Sequence, residues 1–488
     1  MTQDLGGVPM SPSSIVSQPA VPPGVPRGSG RTTGQPGWLT TLRHIRRAWC
    51  RQGLALLAIM ATALALSGCG SAEGMGDDNP KKQAQLRLLN ASLGNALELW
   101  VDDSLRASGI GYGGASAELT LSTESHDVAL RRGSSGSAVQ DSQALTLTGK
   151  THSTLLAYGR NGAPQTLLLS DDLDTPATNR TRLRVVNAAV DAGALDVYLT
   201  SSSAALSDVN PVVSALAVGS GGSSTVDVTS GTWRLRVTGS GDASDLRLDL
   251  SSVALGSGDI VTLLLTPSGG GVLVHALSYS QGSEAVAQRN NPSARVRLIA
   301  GTSPSAAHSA TVGGSSVGAS GSSPWSTSAY TRVNAGSSQA LTITVNGSAI
   351  ATSALDLSAG SDVTLLVYGA PSSASYAVLA DDNGLPSSSQ ARVRLVNGLA
   401  GAGSAGIAWS IDAAQMADGI QPGAASGYVS ANVNTALQFS VLQSDGRVAY
   451  DASQTLPTKG IYTLFALGDA AVSASSGTTR TIALSRDR

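Results

Sequence analysis

After residue 83, apolar and polar residues alternate with period two in short runs bounded by Gly, Ser, Thr, Asp and Asn. Four runs share one form: Ala84-Gln-Leu-Arg-Leu-Leu-Asn90, Thr181-Arg-Leu-Arg-Val-Val-Asn187, Ala294-Arg-Val-Arg-Leu-Ile-Ala300 and Ala391-Arg-Val-Arg-Leu-Val-Asn397. Their alternation predicts strands with one face buried. The shared arginines Arg87, Arg184, Arg297 and Arg394 lie 97, 113 and 97 residues apart, a spacing that suits a domain better than a solenoid repeat. A second strand follows in Leu97-Glu-Leu-Trp-Val101, Leu195-Asp-Val-Tyr-Leu199 and Ile407-Ala-Trp-Ser-Ile411, which sets Trp100, Tyr198 and Trp409 at equivalent places. The third unit has a weaker Ala-His-Ser-Ala-Thr-Val there. Period two returns in Thr232-Trp-Arg-Leu-Arg-Val237, Leu341-Thr-Ile-Thr-Val345 and Leu437-Gln-Phe-Ser-Val441, and most units close on an apolar run such as Thr154-Leu-Leu-Ala-Tyr-Gly159 or Thr364-Leu-Leu-Val-Tyr-Gly369. No long stretch has a 3.6-residue period. The expected fold is all-β: tandem, immunoglobulin-like, antiparallel β-sandwiches.

This reading divides the chain into sandwiches at 84–178, 179–290, 291–388 and 389–488. The arginines of units one and three, and of units two and four, are both 210 residues apart, so a two-domain block is inferred to have duplicated. Counting 71 residues from the opening arginine reaches Tyr158, Tyr368 and Phe465 in units one, three and four. Unit two is longer, and its extra residues fall near 201–220.

The N-terminal segment has a different pattern. Residues 1–41 are rich in proline, and Arg43, Arg46, Arg47 and Arg51 precede the apolar run Leu54-Ala-Leu-Leu-Ala-Ile-Met-Ala-Thr-Ala-Leu-Ala-Leu66. A helix of that length rises about 20 Å, short of a hydrocarbon core of about 30 Å, as expected of a signal segment and not of a membrane span. Leu66-Ser-Gly-Cys69 follows and resembles the lipobox of bacterial lipoproteins. The resemblance implies cleavage between Gly68 and Cys69, a diacylglyceryl thioether on Cys69 and N-acylation, for instance by palmitate. Residues 1–68 are then a cleaved signal region, of which 1–41 are disordered or reflect a start assigned too far upstream. Residues 69–83 are the lipidated cysteine and a flexible tether with a reach of about 20 Å. Gly70 after the acylated cysteine implies sorting to the outer membrane. Cys50, the other cysteine, leaves with the signal, so no disulfide is expected in the remainder.

Composition narrows the function. Charged residues make up 13% of the chain against 41% apolar, with 31 Lys+Arg and 33 Asp+Glu. No basic run occurs beyond residue 51, which excludes a nucleic-acid binder on electrostatic grounds. The partner expected is the membrane, through covalent lipid at Cys69, together with an unidentified glycan or protein ligand.

The units resemble the bacterial family known as domain of unknown function 4397. The likeness rests on the Arg-Val-Arg-type openers, on Asp196-Val-Tyr198, on Ser116, Ser224, Ser328 and Ser426 before the next strand, and on the Gly231-Thr-Trp-Arg-Leu-Arg-Val237 hairpin. It extends over 84–488 and is densest in units two and four. It implies a sandwich in an exported protein and assigns no activity.

Candidate chemistry is sparse. Gly109, Gly111 and Gly114 form a Gly-x-Gly-x-x-Gly pattern with no helix after it to hold a phosphate. His126, His152, His275 and His308 are scattered with no cysteine partner. Asp171, Asp172 and Asp174, and Asp381, Asp382 and Asn383, offer oxygens at the two odd-to-even junctions. A Ca²⁺ site there is the weaker reading, because Ca²⁺ takes six or more oxygens and Asp also serves ordinary turns. Trp100 and Trp409 are expected in cores, whereas Trp325, in a Ser/Pro-rich loop, is the candidate for stacking on a sugar. No catalytic residue, resident metal or cofactor is expected. The reading is a lipid-anchored envelope protein, structural or adhesive and not an enzyme, with a carbohydrate- or peptidoglycan-binding lipoprotein as the alternative.

Overall fold

The computed structural model describes residues 82–488 apart from 134–136, 161–162, 223, 321–324, 387–388, 401–405, 444–447 and 470–479. The signal segment, Gly68 and Cys69 lie outside the described residues. Unit one consists of β1 (Gln83–Ser92), β2 (Leu97–Val101), β3 (Ser104–Ile110), β4 (Leu119–Ser122), β5 (Ser125–Arg132), β6 (Ala138–Thr146), β7 (His152–Arg160) and β8 (Ala163–Ser170). They form two sheets, in the orders β4-β1-β7-β8 and β3-β2-β5-β6. Ala84, Leu86 and Leu88 of the first sheet meet Leu97, Leu99, Val101, Val128 and Leu130 of the second in one buried core. Units two, three and four repeat this pair of sheets around cores of their own. The all-β sandwich architecture read from the alternation is what the structure contains. No helix among the described residues is long and apolar enough to cross a membrane.

The sheets are not purely antiparallel. Each opening strand pairs in parallel with the closing apolar run of its own unit, so that Arg87 lies opposite Thr154, Arg184 opposite Thr262, Arg297 opposite Thr364 and Arg394 opposite Thr463. This register also revises the 71-residue count. Tyr158 and Tyr368 stand four residues past the threonine, whereas Phe465 stands two past it. The offset is even, so all three side chains keep the same face. Unit two's extra residues lie between Thr200 and Val213 and include a short 3-10 turn, Leu206–Asp208.

The opening strands are buried on both faces, which corrects the expectation of one. On β1, Leu86 and Leu88 face the unit's own core, while Leu89 and Ala91 join Leu156 and Tyr158 against Val186, Leu264, Leu277 and Tyr279 of unit two. In the second pair, Ile299 and Leu366 of unit three pack with Val396, Phe465 and Leu467 of unit four. Sandwiches one and two, and three and four, therefore meet sheet against sheet along an apolar seam. Small residues permit the approach: Gly219 and Gly423, with φ of +72° and +81°, receive the hydroxyls of Tyr158 and Tyr368 where a Cβ would collide.

Candidate functional site

The four opener arginines converge on these seams. Each is buried, and each donates its Nε–H to the threonine opposite it, at 2.8 Å in Arg87–Thr154, 3.0 Å in Arg184–Thr262, 2.8 Å in Arg297–Thr364 and 3.2 Å in Arg394–Thr463. The junction carboxylates complete the set. Asp171 accepts from Arg184 Nη2 at 2.7 Å and from Tyr279, with Arg87 Nη2 at 3.6 Å. Asp381 accepts from Arg394, Thr364 and Tyr330, with Arg297 at 3.9 Å. Tyr279, Tyr330 and Tyr428 cover the Arg87, Arg297 and Arg394 guanidinium groups at 4.6–4.8 Å. A repeated polar constellation therefore exists, and it is enclosed between sandwiches.

In the alternation pattern Thr154 and Thr364 stand only at the start of an apolar run, and Thr262 and Thr463 carry no separate mark. Their signal was the recurrence of Thr-Leu-Leu or Thr-Leu-Phe 67–78 residues after each opener arginine. Ser116, Ser328 and Ser426 prove to be packing residues that accept the N–H of Leu88, Leu298 and Leu395. Asn90, Asn187 and Asn397 close the opener's end, bonding the backbone two residues on and a carbonyl of the neighbouring sheet edge.

The two seams differ in several groups: Glu118 stands where Tyr330 does, Tyr279 where Ser485 does, and Gln281 where Asp487 does. In the second pair, Asp487 accepts from Arg297 Nη1 at 2.7 Å and from Thr463 at 2.6 Å. Burial disfavours the charge on Arg297, yet Asp487, Tyr330 and Asp381 outweigh it and raise its pKa. Tyr330 is pushed up by burial and by Asp381. In the first pair, Gln281 occupies the place of Asp487: its N–H bonds Ile260 O as that of Asp487 bonds Ile461 O. The Gln281 side chain turns to the backbone of Leu173, and Arg87 Nη1 donates to Ser283 O at 2.7 Å. A cavity of about 340 Å³ opens there, lined by Arg87, Glu118, His152, Asp172, Glu284 and neighbouring groups.

The other acidic candidates have separate places. Asp172 accepts the His152 N–H, Asp382 binds Arg392 at 2.6 Å, and the carbonyl of Asp174 accepts from Arg182. Asn383 donates to Tyr330 and Asp362. Asp171 and Asp381 face guanidinium groups, which repel a cation. Among the described residues, no three His, Cys, Asp or Glu are grouped to hold a metal ion.

The tryptophans divide by register. Trp409 is 1% exposed in the core of unit four. Leu99, not Trp100, is its counterpart, since Leu97, Leu99 and Val101 point inward as Ile407, Trp409 and Ile411 do. The expectation for Trp100 is thus corrected: it lies half-buried on the outer face, donates to Glu98 and carries Arg131 over its ring at 4.0 Å. Trp325 is half-buried and packs into the second seam, its ring 6.3 Å from that of Phe465. At least one face of this indole is committed to the protein.

One further cluster escaped sequence reading. His126 Nδ1 is 2.7 Å from Asp102 Oδ2, and its Nε2 is 3.1 Å from Ser122 Oγ. Nε2 also lies 3.2 Å from the carbonyl of Ser122, which competes for the same nitrogen. Asp102 caps the Asp127 N–H just as Asp412 caps that of Gln438. In unit four Leu437 and Asn432 stand in place of His126 and Ser122, so the shared role of this aspartate is to hold a turn.

No curated protein matches the chain. Among solved structures, a product complex of SpuA, a multi-modular glycogen-degrading pneumococcal virulence factor, aligns with 75% of this chain and 37% of its own, at 9% identity and a TM-score of 0.15. The pilus adhesin SpaC from Lactobacillus rhamnosus GG aligns with 63% and 41%, at 12% identity and a TM-score of 0.11. The chain thus spans well under half the length of either, and similarity at that level carries no argument. The family comparison is specific: residues 84–198 and 294–408 match the model of DUF4397, a domain of unknown function. The matches begin on units one and three and run into the second strands of units two and four, a different emphasis from that of the sequence motifs. Their starts lie 210 residues apart, the spacing of the arginines. Two stretches of the chain, one opening on unit one and one on unit three, are thus similar to the DUF4397 domain.

Proposed function

We propose that this protein is a cell-envelope lipoprotein, held at a membrane by lipid on Cys69, whose sandwiches serve as a structural or adhesive spacer and not as an enzyme. The observation that carries the reading is the Leu66-Ser-Gly-Cys69 box directly after a basic flank and an apolar run too short to span. The repeated polar residues support it. They join neighbouring sandwiches instead of lining a shared open cleft. Two or three acyl chains make release from the bilayer negligible, since each buried CH₂ contributes about 0.8 kcal/mol. The outer membrane is the proposed location, from Gly70, with the periplasmic face or the cell surface as its side.

Mass spectrometry of the native N-terminus is the test. The expected species begins at Cys69 with a diacylglyceryl thioether, and Cys69→Ser moves the protein from the membrane to the soluble fraction. An unmodified thiol at that terminus overturns the reading. Protease treatment of intact cells then separates a surface adhesin, which is cut, from a periplasmic spacer, which is not.

A further inference from the structure

The two seams are internal copies, and their charge does not match. The second encloses Arg297 and Arg394 with the carboxylates of Asp381 and Asp487. The first encloses Arg87 and Arg184 with Asp171 alone, because Gln281 stands where Asp487 does. A buried guanidinium without a close carboxylate is costly, and Arg87 has its one buried carboxylate at 3.6 Å. No side chain replaces that carboxylate: the Ser283 carbonyl accepts one N–H of Arg87 Nη1 at 2.7 Å, and a cavity of about 340 Å³ lies beside the guanidinium. Its walls also carry four carboxylates, those of Asp171, Glu118, Asp172 and Glu284. A simple anion meets repulsion from these four, and a simple cation meets Arg87.

We propose that this cavity binds a small zwitterion of the α-amino-acid class, its carboxylate on Arg87 in the manner of Asp487 on Arg297 and its ammonium among Glu118, Asp172 and Glu284. The ligand supplies the carboxylate that the first seam lacks, and the acidic walls select a molecule that also carries a positive charge. Its side chain has room in a cavity of this size. The His152 ring, its Nδ1 3.1 Å from Glu118 Oε1, borders the same space. This site does not depend on the envelope reading.

The test uses the full chain and calorimetric titration with L- and D-alanine, propionate and propylamine. Saturable binding of alanine, at least tenfold tighter than propionate or propylamine, is expected. Arg87→Gln weakens it at least tenfold. Gln281→Asp, which places the equivalent of Asp487 in the first seam, is expected to abolish binding while raising the thermal midpoint, so the test survives if Arg87→Gln does not fold. Any one of three results overturns the proposal: no saturable heat from either alanine at 10 mM, propionate binding as tightly as alanine, or alanine binding unaffected by Gln281→Asp.

Discussion

Asp381 and Asp382 are adjacent in sequence and do opposite work. Asp381 is 5% exposed and answers two guanidinium groups and two hydroxyls, whereas the side chain of Asp382 is 53% exposed against Arg392. Removing one partner of a buried network leaves uncompensated charge, so Asp381→Ala is expected to cost about 3–5 kcal/mol. Asp382→Ala is expected to cost at most about 1 kcal/mol. Urea unfolding of both variants measures the contrast, and equal costs refute it. Trp409 permits a similar comparison. Its indole N–H is buried with no hydrogen-bond partner, so Trp409→Phe removes an unsatisfied donor and is expected to cost only about 1 kcal/mol. Trp409→Ala empties the core at about 3–5 kcal/mol. His275 supplies the pH dependence. Burial lowers its pKa to about 4, and its Nδ1 accepts the N–H of Asn291 at 3.0 Å. The unfolded imidazole, near 6.5, binds a proton more readily than the folded one. Stability is therefore full above about pH 6.5 and declines as pH falls towards 4, by about 3 kcal/mol in total. Burial also lowers His308, so His275→Gln should flatten part of this decline in denaturation midpoints taken from pH 7 to 4.

At the scale of the element, the opener is defined by its partners. Its parallel pairing with a strand some 70 residues later places arginine beside threonine in all four units, a relation that local alternation does not encode. Thr364 accepts from Arg297 and donates to Asp381. Thr364→Val keeps the shape and the β propensity but leaves both partners one bond short, at an expected cost of about 1–3 kcal/mol. A chemical-denaturation midpoint equal to that of the parent would show the threonine to be filler only. Register explains the misplaced Trp100 as well. Trp100 and Trp409 occupy second strands of like composition, but aligning them by aromatic character slips the strand by one residue, which exchanges its faces. The Leu97, Leu99, Val101 series was the better guide to the core, because it matches the complete inward set Ile407, Trp409, Ile411.

At the scale of the molecule, the seams make the pair of sandwiches the packing unit. Phe465 is fully buried, yet its neighbours in the second seam include Ile299 and Leu366 of the preceding sandwich. Phe465→Ala should therefore cost about 3–5 kcal/mol and separate the melting of units three and four in differential scanning calorimetry. A lowered midpoint with an undivided transition would argue against coupling through the seam. The 210-residue duplication fits this arrangement, since what is copied is a pair that already buries its own interface.

Period-two alternation, small-residue turns and recurring openers were enough to determine strands, sandwiches and their duplication, because side-chain alternation along a strand is a local property. The same alternation cannot say what covers each face. Only tertiary structure turned the polar face of the openers into a seam, joined arginine to threonine and carboxylate across distant segments, and left a cavity beside Arg87 where the second seam has Asp487. Those outcomes depend on which sheet packs against which, and on the cost of enclosing charge between them.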